Sequence, residues 1–348
     1  MVKACGDLLL LSKESKDDVP VGALYVSREN GKFNWFMSQG CRHSSAGQCL
    51  MCNYGKGHHK ISKSEMKTAL DEIFKNYSLG EFIPFMFFGT NGSIFDEYEM
   101  STECFDYLLD YISKYNIKNL YFETHYTTVT QEKLDKINSK LPNSKVYIEL
   151  GFETQNPYVR EKALLKPIDN EAFKQRVGLI HKNNCFVAAN VLLGIPFLTE
   201  KESFYEALNS IDFLLHDVAV DEVVVFPLNI KHNTFLACSN FKSIHLLSLY
   251  NLIGYLSDED IAKISFSMYD THNDAAVKKP PITCEKCEEV VDILHKFMVS
   301  SLEERIALRE YTLGRKFDCK CAQRIASEPE DERSLDKRIS DFLEERIK

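Results

Sequence analysis

Gly40-Cys41-Arg-His-Ser-Ser-Ala-Gly-Gln-Cys49-Leu-Met-Cys52-Asn-Tyr-Gly55 is the stretch from which the rest of the chain is read. It sets three cysteines within twelve residues, the last two spaced C-x-x-C, directly after the apolar-aromatic run Phe33–Met37. Three thiolates can hold three corners of a cubic iron–sulfur cluster and leave the fourth iron without a protein ligand. A closed zinc site needs a fourth ligand, for which His43, His58 and His59 are the local candidates. The loop's place in the chain favours the cluster, because it follows a strand-like run as a catalytic loop at a strand end does.

Working outward, strand-like runs appear at Asn34–Met37, Phe82–Phe88, Asn119–Glu123, Lys145–Gly151, Cys185–Ile195 and Glu222–Leu228. Segments of helical periodicity follow them: Lys63–Tyr77, Glu97–Lys114, Thr130–Lys140, Asn170–Asn183, Thr199–His216 and His245–Leu256. Six apolar strands alternating with helices predict βα units and a parallel sheet with right-handed crossovers. Six units suit an open, partial (β/α)6 TIM-type barrel, since eight close the usual one. The active site of such a sheet lies outside the carboxyl ends of its strands.

The expected organisation is an N-terminal extension over 1–32 with one or two weak strands, a core over 33–258, and a C-terminal extension over 259–348. In the extension, Ile264–Tyr269 reads as one more strand and Lys278–Pro281 as a linker. Cys284–Leu313 reads as a helical stretch and Glu328–Lys348 as a charged, solvated terminal helix.

Composition bounds the class. At 44% apolar and 11% aromatic, the 348 residues can bury a full-sized core. Leu8–Leu11 is too short to be a signal core, and no apolar run has the length of a membrane span. A cytoplasmic protein is therefore expected. Eleven cysteines in that setting point to metal or cluster binding rather than disulfides. The net charge of −9 leans against a large nucleic acid partner, because phosphate binding needs a basic face. Lys56–Lys67, with His58 and His59, is the one locally positive patch beside the cysteine loop.

The cysteine loop resembles that of the radical S-adenosylmethionine (SAM) superfamily, in a variant with seven residues rather than three between the first two cysteines. The resemblance extends to the Elongator-type subgroup and, within it, to the radical SAM subunits of archaeosine synthase. It recurs in order at Gly89-Thr-Asn-Gly-Ser-Ile-Phe-Asp96, Phe122-Glu-Thr124, Glu149-Leu-Gly-Phe-Glu-Thr154, Arg160-Glu-Lys162 and Leu193-Gly-Ile-Pro-Phe-Leu-Thr-Glu200. With a late cysteine group it covers roughly Asn34 to Cys321.

The resemblance implies a 4Fe-4S cluster on Cys41, Cys49 and Cys52 whose open iron chelates SAM. One electron then yields a 5′-deoxyadenosyl radical that abstracts a hydrogen from substrate, with flavodoxin or ferredoxin as the reductant. It also implies SAM contacts at Tyr54 near the adenine, and at Gly89 and Thr90 near the methionine end. Glu123 and Glu153 fall to the ribose or amino group, Lys166 (with Arg160 as its competitor) to the carboxylate, and the Gly194 turn to the adenine edge. Two departures stand out: the usual Gly-Gly-Glu turn lacks its Glu here, and His125-Tyr126-Thr127 stands where archaeosine-type relatives carry Arg-Pro-Glu. The second removes a fixed cation from the expected substrate side.

Cys284-Glu-Lys-Cys287 and Cys319-Lys-Cys321 form two close thiol pairs that suit a structural four-thiolate zinc site, with a second iron–sulfur cluster as the alternative. Cys5, Cys104, Cys185 and Cys238 read as core or surface residues. His232 and Asn233, and more weakly His272 and Asn273, are candidates to line the substrate space.

The expectation is a radical SAM enzyme acting on a small-molecule or amino-acid-derived substrate. The alternative implied by the relatives is a tRNA nucleoside, in which the radical cleaves a lysine-derived side chain to leave an amidine. A zinc-stabilised binding protein without redox chemistry is the reading from a different class.

Overall fold

Every one of the six apolar runs becomes a strand, and two further strands extend the sheet at its edges. The computed structural model describes residues 7–9, 11, 25–28, 32–55, 57, 59–267 and 277–347. The main sheet takes β1 (Tyr25–Arg28), β2 (Phe33–Phe36), β3 (Phe82–Thr90), β4 (Asn116–Thr124), β5 (Lys145–Glu153), β6 (Phe186–Leu193), β7 (Glu222–Pro227) and β9 (Ile264–Phe266), in that spatial order. β1 runs antiparallel to β2, and from β2 to β9 each neighbouring pair is parallel. Seven parallel strands with helices between them make a curled, open α/β sheet, the partial TIM-type barrel expected. β8 (Ile230–Lys231) and β10 (Val277–Lys279) pair as a separate ribbon.

Alternation along the strands sorts the side chains onto two faces. Phe36, Phe88, Phe122, Ile148, Val187 and Val225 are buried, each contributing roughly 1.5–3 kcal/mol by leaving water. On the opposite, concave face, Phe33, Phe87, Tyr121, Tyr147 and Phe186 fall on one register level across five strands. Tyr121 and Tyr147 stack at 4.4 Å between centroids, and Tyr147 lies 5.2 Å from Phe186. This aromatic row floors the barrel below its carboxyl-end mouth.

The helices Lys63–Ile73, Gln131–Lys140, Asn170–Lys182 and Leu246–Ile253 fall where periodicity places them. Ser62 with Glu65 and Thr199 with Glu202 form reciprocal capping boxes; losing such a cap costs about 1 kcal/mol. The helix expected over Glu97–Lys114 begins only at Thr102, because Ser101 caps it and the preceding turn draws Glu99 under the cysteine loop. The one expected over Thr199–His216 is α-helical over Glu200–Asp212, then widens into a π-turn ending at Ala219, whose φ is +63°.

The sheet also reaches past the boundary expected at 258, through β9. Lys278–Pro281 is not a plain linker, since Val277–Lys279 pairs with β8. Cys284–Leu313 divides into Glu288–Val299 and Leu302–Gly314, because Ser301 starts a new capping box with Glu304. The terminal helix, Leu335–Ile347, is not solvated all round. Leu335, Ile339 and Leu343 are buried, and Arg338 donates to both Glu202 carboxylate oxygens at 2.6 and 2.8 Å. Its charged composition hid an apolar stripe at helical spacing. Cys104 and Cys185 are buried and Cys238 is exposed. Cys5, Lys56, His58, Tyr269, His272 and Asn273 lie outside the described residues.

Candidate active site

At the carboxyl mouth of the sheet a cavity of about 200 Å3 opens, and Cys41, Cys49 and Cys52 all line it. The loop carrying them is held by its own backbone. Cys41 N–H donates to Tyr54 O at 2.6 Å, which closes the loop. Ser45 N–H returns to Cys41 O at 2.9 Å, and Cys52 N–H to Cys49 O at 2.8 Å. Cys49 has a left-handed φ of +55°, a costly conformation for a side-chain-bearing residue. It is pinned from outside: Cys49 N–H donates to Leu165 O at 3.4 Å, and Leu50 N–H to Leu164 O at 2.9 Å. Tyr54 N–H points at Cys52 Sγ, 3.4 Å away.

The segment that pins Cys49 also delivers the cation. Lys166 Nζ donates to Glu153 Oε1 at 2.7 Å, and each side chain is only 12% exposed. Burial opposes the charge on Lys166, but Glu153 and the nearby Cys49 thiol outweigh it and hold the ammonium above its ordinary range. Glu153 itself sits at φ +73°, where the β5–β6 register shifts, so its carboxylate turns toward the mouth. Glu123, at the end of β4, accepts from Trp35 Nε1 at 3.2 Å. Burial raises its pKa against the pull of that hydrogen bond and of Lys231 and Lys166.

Tyr54, Glu123, Glu153 and Lys166 thus line one cavity with the three cysteines. Arg160 does not join them. It is fully buried, donating to the Thr154 and Ile168 carbonyls and to Asn170 Oδ1, the last at 2.6 Å. Lys166 N–H donates to Arg160 O at 3.1 Å, so Arg160 holds the segment that presents Lys166. Gly89, Thr90 and Gly194 lie behind the cavity wall. A Cβ on Gly89 would stand 2.9 Å from Glu123 Oε2 and from Trp35. The Thr90 hydroxyl donates to Glu99 at 2.9 Å. Gly194, at φ +103°, would push a Cβ to 2.9 Å from Leu228 and Ile244. Asn91, Gly92 and Ser93, which follow directly on Gly89 and Thr90, line the cavity.

Sequence reading did not find Glu99. Its carboxylate lies buried behind Cys41, accepting from Ser38 Oγ, Thr90 Oγ1 and Gly92 N at 2.9–3.0 Å. Burial pushes it up to about 7 against those three donors, and burial followed by the Glu99 charge pushes the Cys41 thiol up. Asn190, Asn229 and Lys231 also line the cavity; Lys231 lies 4.1 Å over the Tyr54 ring. His43 stacks on His125 at 4.3 Å, both on the cavity wall. Burial, with Lys166 next, pushes His125 down to about 3, so its imidazole is neutral. His59 pairs with Glu65 at 2.9 Å. His232 ties its carbonyl to Asn53 Nδ2 at 3.1 Å, and Asn233 turns the chain at φ +55°.

The late cysteines converge as well. The ligand atoms of Cys284, Cys287 and Cys319 all lie within 4.8 Å of one another. Cys284 and Cys287 Sγ are 3.4 Å apart, and Cys321 hydrogen-bonds to both. Ala322 N–H donates to Cys319 Sγ at 3.4 Å. Three thiols therefore form the group close enough to share one ion, and the buried Cys321 stands beside two of them.

The mouth of the curled parallel sheet thus gathers a three-cysteine loop, two strand-end glutamates and a lysine, and the chain is similar in sequence to archaeosine synthase subunit beta. Archaeosine synthase subunit beta of Methanosarcina acetivorans is 25% identical to this chain over 273 residues, 76% of this chain and 77% of that protein. An uncharacterized protein of Methanocaldococcus jannaschii is 29% identical over 181 residues, 50% of this chain and 49% of that one; the chain spans about half the length of that relative. No family model matches the chain. The N-terminally deleted Elp3 of Methanocaldococcus infernus aligns at 14% identity with a TM-score of 0.49, over 71% of this chain and 59% of that one. Among the described residues, no helix is long and apolar enough to cross a membrane.

Proposed function

We propose that this chain is a radical SAM enzyme, with Cys41, Cys49 and Cys52 holding a 4Fe-4S cluster and the adjoining cavity holding SAM. The observation that carries the reading is that all three thiols open into the same cavity as Glu123, Glu153 and Lys166. The donor set fits both groups: thiolates for iron, and a buried carboxylate–ammonium pair for a zwitterionic ligand. Bound there, cluster and SAM supply one-electron cleavage of a sulfonium to a carbon radical that takes hydrogen from substrate. The chain's own residues bind and orient. Lys166 would meet the SAM carboxylate, Glu123 and Glu153 would accept from the ribose or amino group, and Tyr54 would flank the adenine. Electrons would come from a flavodoxin or ferredoxin.

The test is anaerobic reconstitution, reduction and incubation with SAM. Formation of 5′-deoxyadenosine supports the reading, and a colourless protein that takes up zinc at both cysteine groups overturns it.

We favour a small-molecule or amino-acid-derived substrate. The His125 imidazole, held neutral by burial and stacked on His43, supports this, because it puts no fixed cation at that position. The sequence likeness to archaeosine synthase subunit beta supports the second reading, a tRNA nucleoside. Binding of tRNA that weakens steeply with salt would favour the second; absence of binding at low salt would end it. The four late thiols are proposed to hold a structural zinc ion.

A further inference from the structure

Trp35, on β2, pairs in register with Gly89 on β3, and Glu123 stands near the end of β4, on the far side of that glycine. Strands two apart in a sheet lie roughly 10 Å from each other, yet the indole Nε1 donates to Glu123 Oε2 at 3.2 Å. The glycine between them makes that reach possible. A Cβ on Gly89 would stand 2.9 Å from Trp35 Cδ1, 3.2 Å from its Nε1 and 2.9 Å from Glu123 Oε2. Donor and acceptor therefore meet in the place where a side chain of β3 would be.

From Glu123 the same level runs on as a row of carboxylates: Glu123 pairs with Glu149, Glu149 with Ala188, and Ala188 with Glu222. Different neighbours hold them. Glu222 accepts from the hydroxyls of Tyr121, at 2.6 Å, and Ser265, and Glu149 accepts from the Asn190 side-chain amide. Glu123 is the member of the row that lines the cavity. Beside it on the cavity wall, Glu153 is paired with the Lys166 ammonium, whereas the indole is a neutral donor that orients Glu123 without cancelling its charge.

The last torsion of a glutamate is soft, so a carboxylate alone takes up many orientations. The indole is held. Its ring lies 5.1 Å from Phe87 and stacks on Phe33 at 6.3 Å, both part of the aromatic floor. We propose that Trp35 is a positioning residue for SAM binding: across the gap at Gly89 its indole holds Glu123 Oε2 and turns the other carboxylate oxygen to the ligand. The role rests on the radical SAM reading of the cavity, in which Glu123 accepts from the ribose or amino group. It adds a residue that does not itself line the cavity. A carboxylate already set in its bound orientation loses less freedom when the ligand arrives. The indole bond also pulls against burial in favour of the charged, accepting form of Glu123.

The test uses the full chain reconstituted anaerobically with its cluster, and SAM as the probe. Trp35→Phe keeps a ring against Phe87 and Phe33 but has no N–H. It should bind SAM ~10-fold more weakly by calorimetry, the scale of a hydrogen bond to a charged group. Gly89→Ala keeps Trp35 and Glu123 and sets a methyl group between them; the carboxylate, as the flexible partner, swings away, and SAM binding should weaken by a similar factor. In 5′-deoxyadenosine formation both deficits should fall on KM for SAM, with kcat kept at saturation and iron content equal to wild type. Wild-type affinity for SAM in Trp35→Phe or in Gly89→Ala overturns the role. Loss of iron in both variants overturns it too, since Trp35 would then be structural only. A wild type with neither iron nor 5′-deoxyadenosine fails the radical SAM reading itself. One positive for both, with unchanged affinity in Trp35→Phe, overturns the role of Trp35 alone.

Discussion

Gly92 lies directly against Cys41: a Cβ built on Gly92 would stand 2.5 Å from both Cβ and Sγ of the cysteine, and 2.9 Å from Glu99 Oε1. The second strand-end turn and the cysteine loop are thus in contact with no room for a methyl group. Gly92→Ala must displace either Cys41 or the buried Glu99, and Glu99 is held by three donors, so the cysteine is the part that yields. Iron retained after anaerobic reconstitution should fall below about half of wild type, while the fold, read by circular dichroism, persists. Full iron loading in this variant would show that the loop tolerates the shift.

Arg160 gives a second expectation. Its guanidinium satisfies the Thr154 and Ile168 carbonyls and Asn170 Oδ1 inside the protein, and burial lowers its pKa only to about 10, so it stays charged. Arg160→Met keeps the volume but strands those acceptors. The loss should be about 2–4 kcal/mol of stability by urea unfolding. Affinity for SAM should fall too, because the segment through Leu165 and Lys166 loses its anchor. An unchanged urea midpoint would remove Arg160 from this role.

Strand positions were legible in sequence because β2 to β7 are apolar or aromatic on both faces, which gives continuous runs. The cysteine loop was legible because its chemistry is local. Glu99 was not, since nothing in its spacing tells that the Asp96–Ser101 turn folds back beneath Cys41. Asn190 was hidden inside the run Phe186–Leu193, where a single amide reads as a lapse in a buried strand rather than as a ligand. Lys231 reaches the cavity only through the β8–β10 ribbon, a pairing that joins residues far apart in sequence. Sequence set Arg160 beside Lys166 as a competitor for one role, and only the fold separates them, placing Lys166 on the cavity wall and Arg160 behind it.

The late cysteines make a prediction about stability rather than catalysis. Helices Glu288–Val299 and Leu302–Gly314 pack on Leu246–Ile253, and Phe317 meets Tyr250 edge-on at 5.1 Å. A zinc ion at Cys284, Cys287, Cys319 and Cys321 would tie the short helix Lys320–Ala326 to that packing. Cys287→Ser should release about one zinc per chain and render the C-terminal segment protease-sensitive, while iron at the N-terminal loop is retained. Loss of iron along with zinc would mean that the two centres are not independent.

The carboxylate row sets a pH dependence whose sign is fixed. In the folded chain Glu149 keeps its proton up to about pH 8, whereas unfolded it ionises near its ordinary value of 4.5. Between those values the folded state binds more protons than the unfolded one, so stability from this group falls as pH rises from about 4.5 to about 8 and is level beyond. Glu149→Gln holds the amide of Asn190 through its own carbonyl oxygen and has no proton to lose. The variant should therefore melt close to wild type near pH 5 and gain on it steadily toward pH 8. Melting temperatures at several pH values read this directly. A gain that stays constant with pH, or shrinks, would mean that Glu149 is already ionised and compensated within the fold.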